Sequence, residues 1–259
     1  MATRPGPAAG PPSRPDAILQ TAAAMVFVAD ASAPLLTPDD AHHLLDVLRL
    51  RPGELVVAGD GSGSWSPCRV APVPRGRDSR RVDPADVVTV DGPVVHEPRA
   101  TPEIAVAFAP TKGDRPEWVV QKLTELGVDR IVPIHAARSV VRWDGERGAR
   151  AVARLTRVAR EAAAQARRTW LPEIAQVTTL DELASSGLTL RLAQPGGAAP
   201  TLVPAVVAVG PEGGWDPDEL ALFGEGVGLG PTVLRAETAA VALGTLLCGL
   251  RSGLIAPLA

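Results

Sequence analysis

Residues 205–239 read AVVAVGPEGGWDPDELALFGEGVGLGPTVLRAETA, and the order of residue types in them sets the expectation for the whole chain. The β-branched run Val206 to Val209 stops at Gly210-Pro211-Glu212-Gly213-Gly214. Asp216-Pro217-Asp218-Glu219 then supplies a cap, a proline and acidic residues for the first turn of a helix. Glycines admit positive φ and close backbone approach while Pro211 fixes the turn, so such a loop can press its amide groups against a ligand. A second turn, Val227-Gly228-Leu229-Gly230 before Pro231, reads as the close of another short strand. Thr232 to Arg235 then leads into an apolar helix beginning near Glu237. Two rigid loops of this kind can line one pocket. No G-x-G-x-x-G opens a helix after an early strand and no G-x-x-x-x-G-K-[ST] is present, which disfavours a dinucleotide fold or a phosphate-loop triphosphatase.

Around that stretch, 259 residues at 46% hydrophobic content allow one large or two small domains with real cores. No apolar run reaches the ~18 to 20 residues of a membrane span, and the N-terminus lacks a secretory signal, so a cytoplasmic location with no membrane partner is expected. Cys68 and Cys248 stand far apart without partners at ligand spacing, so neither a disulfide framework nor a metal site is expected. A net charge of −3 argues against a generally basic nucleic-acid binder. The average hides a basic block, because residues 138–170 carry nine arginines, and an RNA backbone is expected to lie there.

In chain order, residues 1–24 are rich in Ala, Pro, Gly and Arg without periodicity and read as a disordered tail, with Met25 as an alternative first residue. From 25 to 95, short β-prone runs (Val26 to Val28, Glu54 to Ala58, Pro67 to Val73, Val87 to Val90) alternate with turns, which predicts a small β-barrel. Thr37 caps a brief helix through Leu50, and Arg75, Arg77, Arg80 and Arg81 make a basic loop. After a linker at 92–101, Ile104 to Ala109 reads as a buried strand. Asp114 with Glu117 reads as a capping box, Gly127 as the stop of that helix, and Ile131 to Ile134 as a second strand. Strand, helix and strand with a short return imply a parallel sheet. The helix from Gly145 to Arg168 separates its faces: Arg147, Arg150, Arg154, Arg157 and Arg168 fall within about 80° of one another, opposite Val152, Leu155, Ala159, Ala162, Ala163 and Ala166. Leu188 to Leu192 predicts a strand entering the loop Gln194-Pro195-Gly196-Gly197. The helix at 236–252 is apolar nearly all round, fit to be buried under the sheet or against a second subunit.

Four ordered motifs, HHLLDVLRLRPGE from His42, KGDRPEWVVQKLTELGVDRIVPIHAARS from Lys112, GPEGG from Gly210 and LGPTVLRAETA from Leu229, resemble the ribosomal RNA small subunit methyltransferase E family over residues 25–255. The resemblance implies α/β architecture: a C-terminal SPOUT-type domain at 100–259 with a parallel sheet and a trefoil knot, behind a PUA-like RNA-binding barrel at 25–95. It implies a homodimer that uses S-adenosylmethionine, without metal, to methylate N3 of a uridine in 16S ribosomal RNA of the small ribosomal subunit. The methyl donor is then expected on Leu192, Gln194, Gly210, Pro211, Glu212, Gly213, Gly214, Leu229, Gly230, Leu234, Arg235 and Thr238. RNA is expected on His43, Arg49, Arg51, Lys112, Arg138, Arg147, Arg150, Arg154, Arg157, Gln165 and Arg168.

Uridine N3 must lose a proton before it attacks, so the site needs a stabiliser for the uracil anion and a route for that proton. Arg235 is the candidate stabiliser, since its charge never titrates away. The competing reading is that Arg235 braces Glu237 or Glu212. Either glutamate is a candidate base, and hydroxide or water is the alternative. Two departures weaken roles assigned from the family: Ala164 stands where an acid precedes Gln165, and Thr232 where an arginine is frequent. A catalytically silent RNA-binding or ribosome-assembly protein is the competing function, and binding of S-adenosylmethionine separates the two.

Overall fold

The computed structural model describes residues 14–74, 82–203 and 206–256, and the basic loop of Arg75, Arg77, Arg80 and Arg81 lies outside them. Helix α1 (Arg14–Thr21) precedes strand β1 (Ala24–Phe27), with Leu19 and Ala22 buried. Residues 1–13 of the tail expected at 1–24 lie outside the described residues, and over 14–21 the chain is helical, since a composition rich in Ala leaves a helix available once two apolar side chains find a core.

In the first unit, Met1–Pro98, β1 runs parallel to β2 (Leu55–Gly59) and β2 antiparallel to β3 (Ser64–Val70). β3 then pairs with β4 (Val88–Val90) and β5 (Val95–His96). The hydrogen-bonded order of this sheet is β1-β2-β3-β4, with β5 also on β3, and no pairing of β4 with β1 is present among the described residues. Its inner face carries Val26, Val56, Ala58, Cys68 and Val70 against Leu36, Leu44 and Val87. Thr37 does cap α2 (Pro38–His42), through a box in which the Asp40 amide donates to Thr37 Oγ1 at 3.1 Å. The helix does not continue to Leu50 in α form. It widens into one π-type turn, His43–Val47, where the Leu48 amide reaches back to the His43 carbonyl at 2.8 Å, and Arg49 follows at φ +55°.

The second unit, Arg99–Ala259, is a parallel sheet in the order β10 (Leu190–Ala198), β11 (Val206–Val209), β6 (Ala105–Phe108), β7 (Arg130–His135), β8 (Glu173–Ile174), and β9 (Thr178–Thr179) extends along β7. Alternation along β6 assigns the two faces. Val106 and Phe108 meet Val120, Leu123, Leu155 and Leu243 of α3 (Arg115–Leu126), α4 (Gly145–Gln165) and α7 (Ala236–Arg251). Ala105 and Ala107 share the opposite core with Leu183 of α5 (Leu180–Ser185), and Leu220 and Phe223 of α6 (Pro217–Phe223) pack against it. Helices on both faces are what a parallel sheet requires. The chain builds outward from β6 through β7 on one side and returns through β11 on the other, which places the topological switch point between β6 and β11.

Local expectations divide. Asp216 and Glu219 form the predicted cap of α6. Asp114, at φ −92° and ψ 4° rather than in the extended conformation of a capping residue, makes no capping hydrogen bond, and Glu117 pairs with Arg154 at 2.5 Å. The short strand expected at Val227 is reduced to that one extended residue, bridged to Ala193 and Ala198, and Gln194-Pro195-Gly196-Gly197, expected as a loop, continues β10. The two segments meet backbone to backbone. The Ala198 amide donates to Gly226 O at 2.8 Å and the Gly228 amide to Ala198 O at 2.8 Å. A Cβ on Gly228 would lie 2.4 Å from Gly197 O, so only glycines permit the approach.

Candidate active site and nucleic-acid interface

Beyond the carboxyl end of β11 and beside the second half of β10 lies a cavity of about 510 Å³, lined by Gln194, Gly210, Pro211, Glu212, Gly214, Leu229, Gly230, Leu234 and Arg235. The two glycine loops therefore do line one pocket. Ala193, Pro195, Val209, Trp215, Leu220, Thr232, Val233, Ala236 and Ala239 complete its walls, and sequence reasoning missed them. Trp215 matters most. Its indole N–H donates to Ala193 O at 2.8 Å, tying β10 to the loop after β11, and a Cβ on Gly210 would stand 2.9 Å from its ring. Gly210 is thus a packing glycine. Gly230, at φ +125° with nothing within 4 Å of a Cβ, holds an open turn.

Three expected donor contacts are set back from this cavity. Leu192 is 1% exposed because its side chain points to the core face of β10. Gly213 lies against Arg138, whose guanidinium donates to Gly213 O at 3.4 Å, and Thr238 is exposed on α7. Neither lines the walls.

Charge at the mouth is arranged by a residue not singled out from sequence. Arg115, at the start of α3, donates to Glu212 Oε1 at 2.8 Å and stands 3.6 Å from Glu237 Oε1. The brace expected of Arg235 is therefore supplied by Arg115. Arg235 is the exposed N-cap of α7, and its guanidinium has no ion pair or hydrogen bond among the described residues. Glu237 is half-occupied: its side chain is 14% exposed, and Oε2 is buried with no partner among the described residues. The apolar walls of Val209, Trp215, Leu229 and Leu234 and the backbone edges at Gly210 and Gly230 suit a flat heterocycle with a charged tail, the make-up of S-adenosylmethionine.

The expected RNA-binding side chains separate into two groups. Arg147, Arg150, Arg154 and Arg157 form an exposed row on α4 opposite the buried Val152, Leu155, Ala159, Ala162 and Ala163, although Ala166, assigned to that buried face, is exposed at the helix end. Arg168 leaves the row. The chain turns at Arg167, φ +57°, and Arg168 goes inward to donate to Thr124 O and Val128 O at 2.9 Å each, with Asp129 at 3.7 Å. Burial pushes the Arg168 guanidinium down from its ordinary range while Asp129 opposes that shift. Arg138 is partly engaged, 3.4 Å from Asp216 at the cap of α6. Gln165 is exposed at the end of α4, Lys112 in the loop after β6, and His43, Arg49 and Arg51 around the π-type turn of the first unit.

Comparison with known proteins agrees with this geometry. The RNA methyltransferase domain family matches residues 98–248 and the RNA methyltransferase PUA domain residues 36–77. The chain is 34% identical to the ribosomal RNA small subunit methyltransferase E of Mycobacterium tuberculosis over 247 residues, covering 86% of this chain and 91% of that one. The crystal structure of the Neisseria gonorrhoeae protein of that name bound to S-adenosylmethionine superposes with a TM-score of 0.68 at 26% identity, covering 88% of this chain and 97% of that one. A putative methyltransferase from Legionella pneumophila, also with S-adenosylmethionine bound, gives 0.71 at 28% identity, with 85% and 95% covered.

Proposed function

Because this chain belongs to the RNA methyltransferase family, with curated relatives named ribosomal RNA small subunit methyltransferase E, we propose that it transfers a methyl group from S-adenosylmethionine to N3 of a uridine in 16S ribosomal RNA. The observation that carries this reading is the cavity between two glycine loops with an unpaired arginine at its mouth. When bound, S-adenosylmethionine supplies an electrophilic methyl group on a sulfonium. Leu229, Leu234 and Trp215 enclose its apolar surface, and the backbone at Gly210 and Gly230 is open to its polar edges. Arg235 offers two N–H groups in a plane to the uracil oxygens, and its fixed charge favours the N3 anion over neutral uracil. Of the two glutamates, Glu212 lines the cavity and is the better acceptor for the N3 proton, although Arg115 holds it at 2.8 Å, whereas Glu237 lies outside the cavity walls with its Oε2 buried.

On the same reading the protein acts in the cytoplasm on the small ribosomal subunit, as a homodimer with the family's trefoil knot. In support of the dimer, α7 leaves Val241, Ala242, Leu246 and Leu250 only half-buried, and Val233 at the cavity rim is 89% exposed. Mass mapping of 16S ribosomal RNA tests the activity. A deletion strain should lack one methyl group on one uridine, restored by the intact chain, and an unchanged methylation map would sink the proposal. The silent alternative is separated by a thermal shift: S-adenosylmethionine at 100 times its Kd should add about 2.7 kcal/mol to the stability of a binding-competent protein and nothing to one that has lost the site.

A further inference from the structure

Beyond the carboxyl end of β6, on the other side of the switch point from the donor cavity, lies a second cavity of about 460 Å³. Its walls come from the loop after β6 (Thr111, Lys112, Gly113), from Val141 and Trp143 ahead of α4, and from Arg147, Arg150, Ala151 and Arg154 of α4. Four of these side chains are basic. Among the described residues only two carboxylates answer them: Glu146 stands 3.7 Å from Arg150, and Glu117 2.5 Å from Arg154. Lys112 and Arg147 have no ion pair among the described residues, so the cavity holds an excess of positive charge inside a chain whose net charge is −3.

Other features of the walls suit the same kind of ligand. Thr111 is 6% exposed, and its hydroxyl has no hydrogen bond among the described residues. The helices beginning beside the cavity, α3 and α4, start from Asp114 and Asp144, and neither aspartate makes a capping hydrogen bond. Their first-turn N–H groups therefore lack a side-chain cap, while Asp114 and Glu117 on α3 and Asp144 and Glu146 on α4 set negative charge beside them. Gly113, at φ +79° with nothing within 4 Å of a Cβ, leaves the backbone between them uncovered. Guanidinium, ammonium, hydroxyl and amide N–H converge on one concave place, which is the donor set that a phosphate group accepts from. The overall charge gives no long-range pull on RNA, so attraction has to come from a local concentration of this kind.

We propose that this second cavity is a discrete subsite for a backbone phosphate of the RNA substrate. The proposal rests on the RNA methylation reading above and adds a position to it. Two residues beyond Gly113, Arg115 carries Glu212 of the donor loop, so a strand of RNA anchored here lies next to the reacting centre. The subsite also separates two parts of the arginine row. Arg147, Arg150 and Arg154 line the cavity, whereas Arg157 of the same row and the exposed Arg160 on an adjoining side of α4 lie outside it.

The test compares two charge-neutralised pairs in the full chain, K112Q/R147Q inside the cavity and R157Q/R160Q outside it. Binding of a 16S ribosomal RNA fragment is measured across a salt series, with S-adenosylmethionine affinity and Tm as controls for the fold. We expect K112Q/R147Q to weaken RNA binding by about tenfold or more near 0.1 M salt and to lower the salt slope by roughly 0.7 to 0.9 for each phosphate no longer neutralised. Donor affinity and Tm should stay unchanged, R157Q/R160Q should do markedly less, and K112R/R147K should restore most of the slope. Equal weakening by both pairs would mean a diffuse field and overturn the subsite, as would normal RNA binding by K112Q/R147Q. If inorganic phosphate raises the Tm of the unaltered chain but not of K112Q/R147Q while RNA binding is the same in both, the cavity takes a free anion and the proposal is likewise overturned. Failure of the unaltered chain to methylate the RNA is a different result and counts against the parent reading.

Discussion

Arg115 engages Glu212 and Glu237 together, and this leaves Arg235 as a cation without a counter-charge among the described residues, where the substrate base would enter. Arg235→Lys keeps the charge but loses the planar fork. We expect donor affinity and Tm to hold while single-turnover methylation falls about 10- to 1000-fold. Full activity with a lower Tm would mean that the side chain only shapes the loop. Arg49 poses a different question. It sits at φ +55°, in a region where an L side chain costs about 1 to 2 kcal/mol and where glycine ordinarily ends a helix. Arg49→Gly should therefore raise stability by up to about 1 kcal/mol and lower affinity for 16S ribosomal RNA, because strain of this kind persists where a side chain is needed for something else. Higher stability with unchanged RNA affinity would show that the arginine has no part in binding.

Among the elements, the second wall of the donor cavity depends on the meeting of the end of β10 with the segment 226–228. Gly228→Ala would set a methyl group against Gly197 O, a backbone atom that cannot swing aside. The loop carrying Leu229 and Gly230 should then shift, weakening donor binding by calorimetry about tenfold or more with α-helical circular dichroism intact; retained affinity would show the loop to be adaptable. This meeting of backbones also marks the limit of what the sequence discloses. GPEGG, the Asp216 cap and the two faces of α4 are legible because each is decided within a few residues, by φ preference, capping chemistry or helical period. Trp215 over Gly210, Arg115 on two glutamates and the inward turn of Arg168 join residues 5 to 122 positions apart. Nothing local distinguishes such a tryptophan or arginine from any other. The capping box expected of Asp114 and Glu117 is absent: Asp114 lacks the extended conformation of a cap, and Glu117 pairs with Arg154 from another helix. The helix at Arg14–Thr21 is hidden by composition, which reports average solubility and says little about two particular apolar side chains.

At the scale of the molecule, the second unit is drawn together where its first and last segments meet. Arg251, at the end of α7, donates to Pro102 O at 3.2 Å and Gly127 O at 2.7 Å, and pairs with Asp129. Asp129 in turn accepts from the Ile104 amide at 3.0 Å and faces Arg168. With Asp129 only 4% exposed, Asp129→Asn leaves two buried guanidinium groups without a counter-charge. The expected loss is about 3 to 5 kcal/mol, read as a lower denaturant midpoint for the second unit; an unchanged midpoint would mean that water replaces the carboxylate.

The two cysteines fall one to each unit, Cys68 fully buried on β3 and Cys248 half-buried on α7, and burial pushes both thiols above their ordinary range. Only a thiolate reacts readily with an alkylating reagent, and both are suppressed while their surroundings stay closed. The folded thiols hold their protons more tightly than the unfolded ones, so as pH rises past the ordinary thiol range the unfolded chain carries fewer protons and stability declines. Each half of the molecule thus contains its own chemical stopwatch for opening. In pulsed alkylation with iodoacetamide under mild denaturant, S-adenosylmethionine should slow modification of Cys248 and leave Cys68 at its former rate, with the two peptides distinguished by mass. Equal slowing at both would mean that the halves open as one, and that a ligand held by the C-terminal unit also protects the N-terminal one from proteolysis.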